Sequence, residues 1–256
     1  MKYPKISVIT PSYNQGEFLE ATLRSVHEQN YPNLEHIVID GGSHDNSVSI
    51  LEKYSEHLHY WVSEPDEGQT DALIKGFSRA TGEILCWLNS DDVFEPSTLY
   101  EVADFFIKNR EAQAVYGDAT WIDREGRAIK SKKEHPFHRF IWFYDYNFIP
   151  QPSTFWRREL YEVVGGLDSS FDLAMDADLW IRFADLTRLH HVRRPWSRMR
   201  LYPEQKNQRL RAKSNREDST IRRRYMANEP KMLRNAKKVA AKALRIGLKT
   251  LSGCYW

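Results

Sequence analysis

Cysteine is nearly missing from this chain of 256 residues, with Cys86 and Cys254 the two present. A disulfide framework is excluded, and a reducing compartment is the natural expectation. No apolar run approaches the roughly 20 residues that a membrane-crossing helix needs. The opening Met1-Lys2-Tyr3-Pro4-Lys5 reaches a strand too soon for a secretory leader, so the chain reads as cytoplasmic. The nine His include no His-Glu-x-x-His pair, which sets aside the common zinc-protease pattern. No Gly-x-x-x-x-Gly-Lys loop occurs, and Asp40-Gly41-Gly42 is not part of a GxGxxG run. Neither a Walker phosphate cradle nor a Rossmann dinucleotide site is therefore signalled.

What is present is a real core and an uneven charge. Apolar residues make up 41% and aromatic residues 13%. Residues 204–256 hold fifteen Lys/Arg against four Asp/Glu, an excess of eleven positive charges. The whole chain is +2, so residues 1–203 carry −9. An acidic body argues against wide contact with a phosphate backbone, and no nucleic-acid partner is expected.

The order of apolar runs predicts an α/β fold. Strands are expected at residues 6–10, 34–40, 58–63 and 84–88, with helices between them carrying apolar residues at three- and four-residue spacing. Short loops and unalternating strands imply a parallel sheet with right-handed crossovers. Beyond it, the pattern predicts a helix from Pro96, a strand at 114–117 and a hairpin turning at Arg124-Glu125-Gly126. A strand follows at 151–156, then helices from Glu159 and Asp176 and two short strands at 189–192 and 198–202. Residues 135–150 are dense in aromatics and show no clear period.

The chemistry concentrates at strand ends. The run Ile84-Leu85-Cys86-Trp87-Leu88 leads into Asn89-Ser90-Asp91-Asp92. Two adjacent carboxylates do not fit a strand interior, so Asp91 and Asp92 belong just past its carboxyl end, where open α/β sheets bind ligands. Hard oxygen donors there suit Mg²⁺ or Mn²⁺ on a diphosphate. Read by themselves, the same residues serve equally well as a turn and a helix cap. Pro11 and Tyr13 follow the first strand, where Pro fixes the turn and a ring can stack on a base. Asp40 ends the second strand beside two Gly, placed to accept from a base N–H or a ribose hydroxyl. Gln69 and Asp71 stand at the start of the helix that Gly68 opens.

Residues 6–92 resemble the nucleotide-sugar-binding half of a family 2 glycosyltransferase with the GT-A fold. The matching pieces are Val8-Ile9-Thr10-Pro11-Ser12-Tyr13-Asn14, His36-Ile37-Val38-Ile39-Asp40-Gly41-Gly42-Ser43-His44-Asp45, Gly82-Glu83-Ile84 and Leu88-Asn89-Ser90-Asp91-Asp92. The likeness continues through Gln151-Pro152-Ser153 and Gly165-Gly166-Leu167-Asp168 to Met175-Asp176-Ala177-Asp178-Leu179-Trp180-Ile181-Arg182. It implies a catalytic domain over residues 1–203, with a donor half (1–117) and an acceptor half (118–203), and leaves residues 204–256 as a basic helical tail. It implies metal-dependent, inverting transfer of a hexose from a nucleotide sugar, uridine-linked, to a glycan or lipid-linked acceptor in polysaccharide synthesis.

The resemblance also assigns roles. Tyr13 becomes the ring against the donor base and Asp40 the base or ribose acceptor. Asn89 and Asp91 take the outer positions of the DxD motif, with Asp91 on a Mn²⁺ or Mg²⁺ ion. Pro11, Asp71 and Ser90 join the donor contacts. Asp176 falls on the general base, taking a proton from the acceptor hydroxyl; without the resemblance it would read as a helix cap. Asp92, Asp178, Gln151 and Tyr202 have supporting places. Three positions depart from the family's pattern: Asn89 replaces an Asp, Ile74 stands where Asn is frequent, and Arg200-Leu201-Tyr202 stands for Arg-x-His. Trp180 and the 137–148 aromatics offer an acceptor platform or ordinary core packing.

Two other readings remain at this stage. A nucleotidyltransferase would want a basic glycine-rich loop after the first strand, which Ser12-Tyr13-Asn14-Gln15-Gly16 lacks. A non-catalytic sugar or nucleic-acid binder would rely on the tail. That tail encodes an amphipathic helix over residues 236–251. Lys238, Lys242, Arg245 and Lys249 lie on one face and Val239, Leu244, Ile246, Leu248 and Leu251 on the other, with Tyr255 and Trp256 following. Such a helix suits an anionic membrane surface and would place the chain at the inner face of the cell membrane.

Overall fold

The computed structural model describes residues 3–226 and 229–254. Its first half follows the apolar periodicity closely. The strand β1 (Ile6–Ser12) is buried at every position, as an apolar run without alternation requires when both sheet faces are covered. Then come α1 (Gly16–His27), β2 (Leu34–Asp40), α2 (Ser47–Tyr54), β3 (Tyr60–Ser63), α3 (Gln69–Arg79) and β4 (Ile84–Trp87). The strands pair in parallel in the order β3-β2-β1-β4. Helix α3 crosses close above β1 because residue 76 is Gly: a Cβ there would stand 2.4 Å from Ile9 Cγ2.

A buried polar clasp fixes the lower end of these strands. Glu35 is fully buried and takes Lys5 Nζ at 2.6 Å, Ser7 Oγ at 2.5 Å and the backbone N–H of Thr81 at 2.7 Å. Burial works to raise its pKa, but the hydrogen bonds from Lys5, Ser7 and Thr81 outweigh it and hold the carboxyl at about 2.

The second half adds β5 (Val93–Phe94), α4 (Thr98–Lys108), β6 (Ala114–Ile122), β7 (Ala128–Lys132), α5 (Arg139–Tyr144), β8 (Thr154–Arg157), α6 (Arg158–Val163) and α7 (Met175–Leu186). After them come β9 (Leu189–Arg200), α8 (Lys206–Arg209), α9 (Arg211–Tyr225) and α10 (Lys231–Leu251). The sheet continues from β4 through antiparallel β8 to β6, then to β9 and β5, with β7 on β6 as the expected hairpin. The two short strands expected at 189–192 and 198–202 are one. Pro195 carries no N–H, yet β9 runs through it because its register against β6 slips around Asp118, and the bulge absorbs the missing donor.

Trp87, Trp142, Trp156, Trp180 and Trp196 are all among the most deeply buried side chains. Trp180 stacks on Trp87 at 5.6 Å and meets Trp156 edge-on, so it ties α7 to β4 as core and offers no platform to a ligand.

The stretch after residue 203 packs against the body. Residues 204–210 border the cleft described below, and α9 packs on α7. Farther on, α10 lies on α5. Basic residues of α10 face the body: Lys237 reaches Tyr144 Oη at 3.2 Å, Arg245 pairs with Asp145 at 2.6 Å and Lys249 with Glu134 at 2.7 Å. Tyr255 and Trp256 lie outside the described residues.

Candidate active site

Because β1 to β4 run parallel, the loops leaving their carboxyl ends meet along one rim. They border a cleft of about 690 Å³. Pro11 and Tyr13 reach it from β1, Gly41 and Gly42 from β2, Asp66 from β3, and Asn89, Ser90 and Asp91 from β4. The facing wall comes from Asp172 and from Tyr202, Gln205 and Lys206. Tyr13 is 55% exposed and presents a free ring to this space.

Asp40 is set behind the wall. Its carboxylate accepts from Ser43 N–H at 2.8 Å, Ser43 Oγ at 2.6 Å and Ser63 Oγ at 2.7 Å, so it stiffens the loop whose glycines line the cleft. Asp66, which follows β3, does border the cleft, and burial raises its pKa despite a hydrogen bond from Gly68 N–H. Sequence reasoning missed it, although Asp66-Glu67-Gly68 sets a carboxylate near a Gly after β3 much as Asp40-Gly41 does after β2. Gly68 has φ of 113°, open to Gly at little cost, and this conformation turns the chain into α3. Asp71 is not brought to the cleft. It accepts from Glu67 N–H at 3.1 Å and pairs with Lys75 at 3.0 Å on the first turn of α3.

A chain of amides fixes Asn89. Gln69 Nε2 donates to Asn89 Oδ1 at 2.8 Å, and Asn89 Nδ2 donates to Gln151 Oε1 at 3.2 Å. Gln151 Nε2 in turn donates to the carbonyl of Trp87 at 2.7 Å. Gln151 is thus a brace, and Gln69 a cleft residue in its own right.

Asp91 and Asp92 divide their tasks. Asp92 turns inward, where its Oδ1 accepts the N–H of Arg200 at 2.9 Å, and burial together with Asp91 pushes its pKa far up. Asp91 borders the cleft. Its Oδ2 accepts from Tyr202 Oη at 3.0 Å and Gln205 Nε2 at 3.3 Å, and burial raises its pKa. Arg200 donates to the Asp91 carbonyl instead of the carboxylate. A buried carboxylate whose side-chain partners are both neutral is suited to a cation. Among the described residues no group of three or more His, Cys, Asp or Glu is placed to hold a metal unaided. Asp91 is thus the residue that could hold a Mg²⁺ or Mn²⁺ ion, an oxygen-loving cation often bound by one or two carboxylates together with substrate phosphates.

Asp176 lies outside the cleft lining, in the first turn of α7 and four residues after Asp172, which is part of it. Burial raises its pKa to about 6, with nearby Asp218 adding to the rise and the Asn147 hydrogen bond at 3.0 Å opposing it. Asp178 is buried and salt-bridged to Arg182 at 2.6 Å and Arg224 at 3.3 Å, a clasp between α7 and α9. Glu217 of α9 holds the segment that leads into α7: its Oε2 accepts the N–H groups of Asp172, Leu173 and Ala174 at 2.8–3.1 Å. Lys206 and Lys213 both close on Asp172, at 2.5 Å and 2.7 Å. These basic residues come from the stretch that the sequence alone set apart as a tail.

Comparisons with known proteins bear on the family and the fold. The profile of Glycosyl transferase family 2 matches residues 7–165. An uncharacterized glycosyltransferase of Mycobacterium tuberculosis is 32% identical over 183 residues, 71% of this chain and 69% of its own. A PGL/p-HBAD biosynthesis glycosyltransferase of Mycobacterium bovis is 30% identical over 200 residues, 75% of this chain and 76% of its own. Among solved structures, S. aureus TarS 1-349 in complex with UDP-GlcNAc superposes with a TM-score of 0.67 at 18% identity, over 91% of this chain and 70% of that one. The longer TarS chain is matched over 42% of its length. The mannosyltransferase PcManGT from Pyrobaculum calidifontis, in complex with GDP-Man and Mn²⁺, gives 0.66 at 19% identity, over 95% of this chain and 70% of that one. These likenesses establish the GT-A fold, and no helix among the described residues is long and apolar enough to cross a membrane. With the strand-end cleft, the fold and the profile in agreement, the chain belongs to glycosyltransferase family 2.

Proposed function

We propose that this protein transfers a hexose from a nucleotide sugar, uridine-linked, to a hydroxyl of a glycan or lipid-linked acceptor in polysaccharide synthesis, inverting the anomeric carbon. The observation that carries the reading is the cleft at the carboxyl ends of β1 to β4, with Asp91 at its edge and the ring of Tyr13 at its mouth. Solved neighbours of this fold hold UDP-GlcNAc, or GDP-Man with Mn²⁺.

In this account Tyr13 stacks on the donor base, and Asp66 accepts from the base N–H that Asp40 was expected to meet. Asn89 and Ser90 face the ribose. A Mg²⁺ or Mn²⁺ ion held by Asp91 supplies positive charge to the leaving diphosphate when bound. Lys206 exchanges Asp172 for a diphosphate oxygen. Asp176, with a pKa of about 6, is largely ionised at neutral pH and takes the proton of the acceptor hydroxyl. That oxygen bonds to the anomeric carbon as the bond to the diphosphate breaks, and the leaving group departs with the electron pair.

Calorimetric titration tests the donor half. UDP should bind in the presence of Mn²⁺, and Asp91→Ala should remove the metal-dependent part of the affinity. Failure of every nucleoside diphosphate to bind, with or without metal, would overturn the reading.

A further inference from the structure

Helix α10 is fixed to the body by one face and shows the opposite face to solvent. The inward residues recur at helical spacing: Lys237, Ala241, Arg245, Leu248 and Lys249. Lys237 pairs with Glu229, Arg245 with Asp145 and Lys249 with Glu134, while Ala241 is fully buried and Leu248 packs on the core. Glu134 lies deep in the body, so the helix is held in one rotational setting.

The outward face is apolar. Met232 is 85% exposed, Val239 72%, Ile246 44% and Leu251 88%, with Leu233 and Leu244 beside them. Twelve large apolar residues of the described chain are exposed, and these six share one helix of 21 residues. A stripe so concentrated, held outward by ion pairs on its far side, has an occupant other than water.

The charge on the helix selects that occupant. The helix carries no Asp or Glu, and its exposed Lys231, Lys238 and Lys242 line one edge of the apolar stripe. A second copy docking by the same face would bring three more lysines and no acid to meet them. An anionic bilayer accepts both parts, the apolar side chains at the headgroup boundary and the lysines at the phosphates. We propose that the outward face of α10 lies on an anionic lipid surface, through Met232, Val239, Ile246 and Leu251 with Lys238 and Lys242. Arg245 and Lys249 serve instead to fix the helix on the body. This inference goes beyond the transferase reading and stands without it.

Flotation of the full chain with lipid vesicles is the test. Vesicles of phosphatidylcholine and phosphatidylglycerol at about two to one should carry the protein, and vesicles of phosphatidylcholine alone should not. Val239→Asp with Ile246→Asp should lower binding at least about tenfold, and Lys238→Glu with Lys242→Glu should do the same while removing its salt sensitivity. All four positions are exposed, and an unchanged melting curve confirms that the fold is kept. No binding to the anionic vesicles, equal binding by the apolar pair of variants, or a dimer in solution that Val239→Asp with Ile246→Asp dissolves would each overturn the proposal.

Discussion

The hydroxyl of Tyr202 donates to Asp91 Oδ2 across 3.0 Å, which ties the end of the body to the rim of the sheet. This contact occupies one oxygen of the carboxylate that the proposed metal would use. Tyr202→His restores the family's Arg-x-His pattern and exchanges a hydroxyl for a neutral nitrogen ligand. It should tighten Mn²⁺ in the presence of UDP by about tenfold, the scale on which ligand-supporting groups act. Calorimetry with the metal varied at saturating UDP measures it, and unchanged affinity would separate Tyr202 from the metal.

Asp176 gives a prediction in pH. Its carboxyl titrates at about 6, and only the ionised form accepts a proton, so donor turnover should rise through that pH and level off above it. Asp218 contributes to the raised value. Asp218→Asn should therefore move the limb to lower pH, while Asp176→Asn should abolish turnover and leave UDP binding intact. UDP release measured across pH checks all three statements.

The contact of α9 with the segment before α7 bears on stability. Glu217 Oε2 satisfies three N–H groups in residues 172–174, just ahead of that helix. Glu217→Ala should cost about 2 kcal/mol of stability, the scale on which hydrogen bonds to a charged group contribute. Glu217→Gln, which keeps an acceptor oxygen, should cost less. Thermal unfolding of the two variants decides.

Glu35 predicts an acid dependence. Its carboxyl is held at about 2, below the ordinary 4.5, so its contribution is complete above pH 4.5 and is lost as pH falls toward 2. Glu35→Gln should remove about 2 kcal/mol at neutral pH, since charge-assisted hydrogen bonds to Lys5, Ser7 and Thr81 are weakened together. The difference from the parent protein should shrink below pH 4 in denaturant titrations.

The parallel half was legible because each of its elements is a local pattern. An unalternating apolar run such as Ile6–Ser12 states its own burial, and carboxylates after such runs state where the rim lies. What escaped was decided by distant partners. Asp40 has the sequence of a cleft residue, but Ser43 and Ser63 take its oxygens, and Asp66 stands at the cleft wall instead. Strand β9 looked broken at Pro195 because its bulge depends on β6. Arg245 and Lys249 read as part of a basic face suited to an anionic membrane, since their partners Asp145 and Glu134 lie about a hundred residues away. Lys206 gave no signal at all, because its place opposite the rim arises from the return of the chain after β9.

The proposed chemistry depends most on Asp91, and anomalous scattering tests that residue most directly. Crystals soaked with UDP and Mn²⁺ should show a manganese peak between the Asp91 carboxylate and the diphosphate, with the base against Tyr13. UDP bound in the cleft with manganese absent from Asp91, or bound at another residue, would contradict it.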